Sequence, residues 1–342
     1  MNKVFLFIAI FSFSKVGFAQ IPTGYYNTAE NLSGEPLRAA LYNIINGHSI
    51  KDYSTLWGYF QTTDNNGGIV WDMYTDNPSG STTYTYNFGS DQCGNYNAEG
   101  DCFNREHSFP KSWFNDALPM YSDLFHLYPT DGWVNGKRGN YPYGEVNSPT
   151  YTSSNGSKLG ANIYPGYSGT VFEPIDAYKG DFARTYFYMV TRYKNVSSTW
   201  TSDMLTGDNL SEWAKTMLIS WDALDPVSQK EIDRNNAVHD VQGNRNPFID
   251  RPSWIDWIWG PTASVSDMEE SQLSMYNVDG LLYINNISSK QVSLNIVNML
   301  GATVKEIPIQ QGESRVELDF PQGVYIATST IEGRVYTLKF VR

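Results

Sequence analysis

Histidine and cysteine are scarce in this chain, four and two among 342 residues. Histidine-rich or multi-cysteine metal modules are therefore excluded, since each needs several such ligands at set spacings. Positive charge is also short: 24 Lys and Arg stand against 36 Asp and Glu, giving a net charge of −12 and a pI near 4.8. Taken alone, that balance argues against a nucleic-acid partner, whose phosphates require local positive charge. It says nothing of how the charges are distributed. Internal repeats and low-complexity tracts are not evident. Apart from residues 1–20 the sequence has no long apolar run, and that one is too short to span a bilayer.

Those first residues, MNKVFLFIAIFSFSKVGFAQ, have the order of a signal peptide. Lys3 supplies the charged start, an apolar stretch follows, and Gly17-Phe18-Ala19 offers a small-residue cleavage site, so residues 1–19 are expected to be removed on export. An exported chain with Cys93 and Cys102 nine positions apart points to a disulfide; a zinc site is the rival reading. The 41% hydrophobic content over this length suits a sizeable core and two domains.

Helical spacing appears at Leu37, Ala40, Leu41, Ile44 and Ile45, with Gly47 as the stop and a second helix through Tyr53–Phe60. Residues 62–100 have strand-and-loop composition, including IVWDMYT. Helices are predicted in KGDFARTYFYMVTRYK, with Phe182, Tyr186, Met189, Val190 and Tyr193 on one face, and in LSEWAKTMLISWDAL. Another begins after Pro226, where Ser228 and Glu231 have capping-box spacing. His48 and His239 fall on predicted helices without acidic or cysteine companions and read as structural or solvated. After Gly260 the texture changes. Residues 262–272 form a polar, acidic linker, and 273–342 alternate in short apolar runs that predict an all-β sandwich of about seven strands.

Reactive groups concentrate in NREHSFPKSW (104–113) and SDLFHLYPTDGWVNGKRGNYPYGE (122–145). Glu106 beside His107 is a weak signal by itself, and a buried, hydrogen-bonded histidine is the bland reading. The second segment adds Asn135, Arg138 and Asn140 among Trp133, Tyr141 and Tyr143, too polar a run for core. Phosphodiester hydrolysis needs a base for water and a partner for developing negative charge. A neutral imidazole fills the first role, and a hard divalent ion on carboxylate and amide oxygens fills the second. His107, Glu106 and Asn135 supply that set. Adjacent residues of a strand face opposite ways, so a twist or a strand end is required between Glu106 and His107.

These two segments, with EIDRNNAVHDVQGNRNPFID, resemble the bacterial endonuclease I family, secreted or periplasmic nucleases with a ββα-metal (His-Me finger) site. The likeness runs from about Gly24 to Gly260. It implies an α+β fold: a mixed nuclease domain over 20–261 with a ββα-metal core, then the small all-β sandwich. It further implies His107 as general base, with Glu106 and Asn135 as metal ligands. The ion would be a single Mg²⁺, with Mn²⁺ or Ca²⁺ as alternatives. Nucleic acid, DNA with RNA as an alternative, would be cut to 5′-phosphate and 3′-hydroxyl ends. Arg138 is the nearby candidate for gripping a phosphate and is grouped with the catalytic residues; Lys111, Lys137 and Arg245 are candidate phosphate contacts. Relatives often read DLHHL where this chain has Phe125 before His126, and His126 reads as structural.

The end of the chain, with Gly323-Val324-Tyr325 and Lys339, resembles the type IX secretion sorting domain of Bacteroidetes; an ordinary β-sandwich binding module is the alternative. That resemblance implies the type IX secretion machinery as a partner and a secreted or cell-surface location. Two other classes of function remain. Ten Trp, 15% aromatic residues and the acidic balance suit a carbohydrate-active protein, and Phe125 keeps open a non-enzymatic surface protein on a degenerate nuclease fold.

Overall fold

A computed structural model describes residues 21–260, 273–278, 281–331 and 334–342. The expected signal peptide and linker lie outside these residues. The chain divides into two compact units at Pro261/Thr262. Among the described residues no helix is long and apolar enough to cross a membrane.

The N-terminal unit begins with α1 (Gly34–Ile45), which buries Leu37, Leu41 and Ile45 and ends before Gly47 at φ +81°. That left-handed turn is where glycine is tolerated without strain. His48 lies just past the helix rather than on it; it is buried, and its Nδ1 accepts from Arg192 Nε at 3.1 Å. A short 3₁₀ turn at Tyr53–Thr55 leads into α2 (Leu56–Thr63). The next forty residues are mostly loop, with one two-residue ladder, β1 (Asn65–Asn66) on β2 (Ile69–Val70).

The antiparallel hairpin β3 (Phe103–His107) and β4 (Leu127–Asp131) follows, pairing Phe103 with Asp131 and His107 with Leu127. β4 runs directly into α3 (Gly132–Arg138), whose first turn is capped by Asp131 Oδ1 accepting from Val134 N at 2.8 Å. Gly132 and Gly136 are required here: a Cβ at either would sit 2.6 Å from the Tyr96 side chain packed on the helix. Hairpin and helix make a ββα unit.

A three-stranded sheet follows, β5 (Pro149–Thr152), β6 (Lys158–Ala161) and β7 (Thr170–Glu173). Beyond it, α4 (Lys179–Arg192) runs through the core, buried along its whole length rather than on one face. Arg184 is carried inside by a bidentate pair with Glu231 and a contact to Asp222 at 2.6 Å. A small ladder, β8 (Leu205–Thr206) on β9 (Asn209–Leu210), precedes α5 (Glu212–Leu224). α6 (Gln229–Gln242) has the predicted capping box, both bonds formed. α7 (Pro247–Asp250) and α8 (Ser253–Trp259) close the unit.

Among the described residues the C-terminal unit has seven strands. β10 (Leu273–Val278), β11 (Leu281–Asn286) and β14 (Gly312–Glu317) form one sheet; β13 (Thr303–Ile309), β12 (Val292–Asn298), β15 (Val324–Ile331) and β16 (Arg334–Val341) form the other, in that order. Alternate residues such as Leu282, Ile284, Leu294, Ile296 and Ala327 meet in a shared core.

Candidate active site

Strand alternation sorts the β3 side chains onto two faces. Asn104 and Glu106 point to α3. Phe103, Arg105 and His107 point to the segment around α2, where Trp57 meets Phe103 at 5.5 Å and Tyr53 lies on His107 at 5.6 Å. Glu106 and His107 therefore take opposite faces, and His107 is the last residue of the strand.

Glu106 is buried. Its Oε1 accepts from Tyr74 Oη at 2.8 Å and from Arg138 Nη1 at 2.9 Å. Burial raises its pKa, with Arg138 and Tyr74 opposing. One helical turn before Arg138, Asn135 donates through Nδ2 to Asn104 Oδ1 at 2.6 Å. Glu106 Oε2 and Asn135 Oδ1 make no hydrogen bond among the described residues. Two unengaged oxygens, one anionic and one neutral, thus belong to side chains on the facing surfaces of β3 and α3. That donor set fits a hard divalent ion that takes the rest of its shell from water and substrate. Among the described residues no group of three or more His, Cys, Asp and Glu could hold a metal, so the protein's share would be these two oxygens.

His107 packs on a tyrosine pair, Tyr53 at 5.6 Å and 18° and Tyr121 at 5.2 Å and 25°, whose own rings are 4.4 Å apart, so both lie on one side of it. Its Nε2 is 3.0 Å from the Tyr121 carbonyl. A carbonyl only accepts, so Nε2 carries the proton and Nδ1 keeps its lone pair. Nδ1 makes no hydrogen bond among the described residues. Burial, and after it His126, holds the imidazole well below its usual pKa, against the pull of the Tyr121 carbonyl. The imidazole is neutral at neutral pH.

Arg138 does not stand where a phosphate could reach it, which corrects the expectation of a grip on substrate. It is fully buried. Nη1 donates to Glu106 and to the His107 carbonyl at 2.8 Å; Nη2 donates to the Ser108 carbonyl at 2.5 Å and to Tyr186 Oη at 3.3 Å. One guanidinium thus ties the carboxylate to the backbone that carries the base, as a positioning residue. Arg245 is corrected in the same way: it is buried, and Nε and Nη2 are held by Asp250 at 2.6 and 2.8 Å. Lys111 is exposed and pairs with Asp116 at 2.5 Å. Lys137 lies 4.5 Å over the Trp133 ring, with no carboxylate partner among the described residues. His126 is buried, its Nε2 2.6 Å from the Met120 carbonyl, and Phe125 packs on Tyr188 at 4.7 Å. Cys93 and Cys102 are joined in a disulfide, Cα to Cα 5.8 Å.

The motifs alone did not bring out Asn104, Tyr74, Tyr53 or Tyr121. Asn104 had a signal, two positions before Glu106 and so on its face. Tyr74 had none, for it arrives from a loop thirty-two residues away.

Comparison with known proteins matches residues 33–253 to the Endonuclease I family. The chain is 36% identical over 245 residues to an extracellular ribonuclease of Bacillus amyloliquefaciens, covering 69% of this chain and 78% of that protein. It is 33% identical, with the same coverage, to an extracellular ribonuclease of Bacillus subtilis. A periplasmic deoxyribonuclease of Aeromonas hydrophila is 28% identical over 39% of this chain and 48% of its own length. A DUF3244 family protein of Bacteroides vulgatus with an immunoglobulin-like β-sandwich fold is 22% identical, covering 21% of this chain and 83% of that one, with a TM-score of 0.20.

Proposed function

This chain belongs to the Endonuclease I family and is a phosphodiester hydrolase, and from that premise we propose a secreted, divalent-metal-dependent endonuclease of broad specificity, with His107 as its general base. Membership sets aside the carbohydrate-active and non-enzymatic alternatives. The observation that carries the mechanism is the pair of unengaged oxygens, Glu106 Oε2 and Asn135 Oδ1, on facing elements beside a histidine whose protonation the Tyr121 carbonyl fixes.

Glu106 and Asn135 would hold the ion, taken as Mg²⁺, with Mn²⁺ or Ca²⁺ as alternatives; bound there, it supplies neutralisation of charge on the phosphate and the leaving oxygen. Arg138 pulls the Glu106 pKa down against burial and aims the carboxylate. Tyr53 and Tyr121 hold the His107 ring flat, and Nδ1 takes the proton from a water as its oxygen bonds to phosphorus. The P–O3′ bond breaks, the leaving 3′ oxygen takes a proton from solvent, and the ends are a 5′-phosphate and a 3′-hydroxyl. No step uses a 2′-hydroxyl, so RNA and DNA are both substrates, in keeping with relatives named for each. Export through residues 1–19, and surface delivery through residues 273–342 by the type IX machinery, complete the reading; relatives named extracellular and the β-sandwich, whose β15 begins just after Gly323 with Val324-Tyr325, support it.

The test is supercoiled plasmid and total RNA incubated with the mature protein and Mg²⁺. Both should be degraded, EDTA should stop the reaction, and His107→Ala should lose about 10²–10⁴-fold with its thermal melt unchanged. Wild-type rates in His107→Ala would refute the mechanism.

A further inference from the structure

The face of β3 that carries His107 also carries Arg105, and among the unit's arginines its setting is unusual. Arg38, Arg138, Arg184, Arg234 and Arg245 are buried and each is paired with a carboxylate; Arg192 is buried against His48. Arg105 is half-buried and has no carboxylate partner among the described residues. Its guanidinium carbon lies 3.7 Å over the Tyr53 ring and 4.5 Å over the Trp57 ring. Nη1 donates to the Tyr53 carbonyl at 2.6 Å. The plane is fixed by two aromatic faces and one hydrogen bond, while Nε and Nη2 make no hydrogen bond among the described residues. Tyr53 is also stacked on His107, so one ring touches both the cation and the imidazole.

A guanidinium that is fixed but unpaired suits a tetrahedral oxyanion, because little side-chain freedom is lost when a phosphate docks on its open edge. We propose that Arg105 is a phosphate-binding residue for the nucleic-acid strand, gripping a phosphate next to the scissile one on the His107 side of the hairpin. This rests on the nuclease reading above. It assigns to Arg105 the role that the burial of Arg138 and Arg245 leaves open. Tyr53 and Trp57 act behind it as positioning residues.

The test is anisotropy of a fluorescein-labelled 16-base-pair DNA duplex in EDTA, where no turnover occurs, titrated at several salt concentrations. Plasmid cleavage in Mg²⁺ runs in parallel. Arg105→Gln should weaken binding about 5–10-fold and reduce the slope of log K against log salt by about 0.9, the signature of one lost phosphate contact. KM should rise with kcat largely kept. Arg105→Lys should keep the salt slope, since the charge remains, but recover only part of the affinity, since the fork is gone. Thermal melts of both variants are compared with wild type, so that a folding defect is separated from lost contact. Wild-type affinity and slope in a folded Arg105→Gln, beside a wild type that cleaves, overturns the phosphate site and leaves the nuclease reading standing. A wild type that neither binds nor cleaves overturns both.

Discussion

Arg138→Met is the sharpest test of how the site is held. Methionine keeps the stem length but removes a charge whose four hydrogen bonds reach Glu106, two backbone carbonyls and Tyr186. Glu106 is left buried with Tyr74 as its one remaining donor. Removing one partner of a buried ion pair costs about 3–5 kcal/mol, mostly from the stranded charge. For a unit of this size about 2–4 °C is lost per kcal/mol, so its unfolding midpoint should fall by roughly 10 °C. Urea unfolding followed by tryptophan fluorescence measures this. Glu106→Gln in the same chain should recover part of the loss, with a coupling of about 1–3 kcal/mol in the double-mutant cycle. Arg138→Lys should be intermediate, since a point charge can face the carboxylate but cannot span both carbonyls. A folded Arg138→Met within about 0.5 kcal/mol of wild type, with only KM raised, would refute the reasoning and restore Arg138 as a phosphate contact.

Two further predictions concern the frame around the site. Asp72 is buried, accepting from the Tyr74 amide at 2.7 Å and the Asp131 amide at 2.6 Å. Burial, reinforced by the Asp131 charge against those two amides, pushes its pKa from 3.8 up to about 8. The folded state thus holds a proton that the unfolded state has released; this contribution is whole below about 3.8 and is lost as pH rises through about 8. Asp72→Asn should flatten the fall in melting temperature between pH 5 and pH 8.5, and parallel wild-type and variant curves would refute it. The Cys93–Cys102 bridge closes a loop of sequence separation 9, worth about 2–3 kcal/mol by chain entropy. That loop sends Tyr96 under α3 and the Gly100 amide to Asp131, so the Cys93→Ser, Cys102→Ser double variant should lose about that stability and some activity. A midpoint unchanged in urea would remove the bridge from the site's support.

Local signals were legible where local chemistry decides the structure. The Ser228–Glu231 capping box, the stop at Gly47 and the period-2 alternation of residues 273–342 each depend on neighbours within a few positions, and each appears as expected. Charged residues misled where their partners are distant. On α4, Arg184 is taken inside by Glu231, forty-seven residues on. Arg245 looked like a loop contact and is a buried pair with Asp250. In IVWDMYT only Ile69 and Val70 enter a ladder, because Tyr74 is drawn under Glu106 instead. Glu106, His107 and Asn135 could be singled out by residue type; that Glu106 and His107 take opposite faces of β3, and that Asn135 faces that strand from α3, required the register of β3 on β4 and the run of β4 into the helix.

The distribution of arginine explains how a chain of net charge −12 can still handle a polyanion. Arg38, Arg138, Arg184, Arg192, Arg234 and Arg245 are buried, so most of the guanidinium charge is spent holding the N-terminal unit together. Near His107, Arg105 lies over Tyr53 and Lys111 over Tyr121, the two rings packed on the imidazole, with Lys137 on α3. About three phosphate contacts give a salt slope near −3, so affinity falls only about 40-fold between 50 and 200 mM salt, against 10³–10⁵ for six to ten contacts. The duplex titrations proposed for Arg105 read that slope directly, and a value near −8 would mean that a larger basic surface takes part.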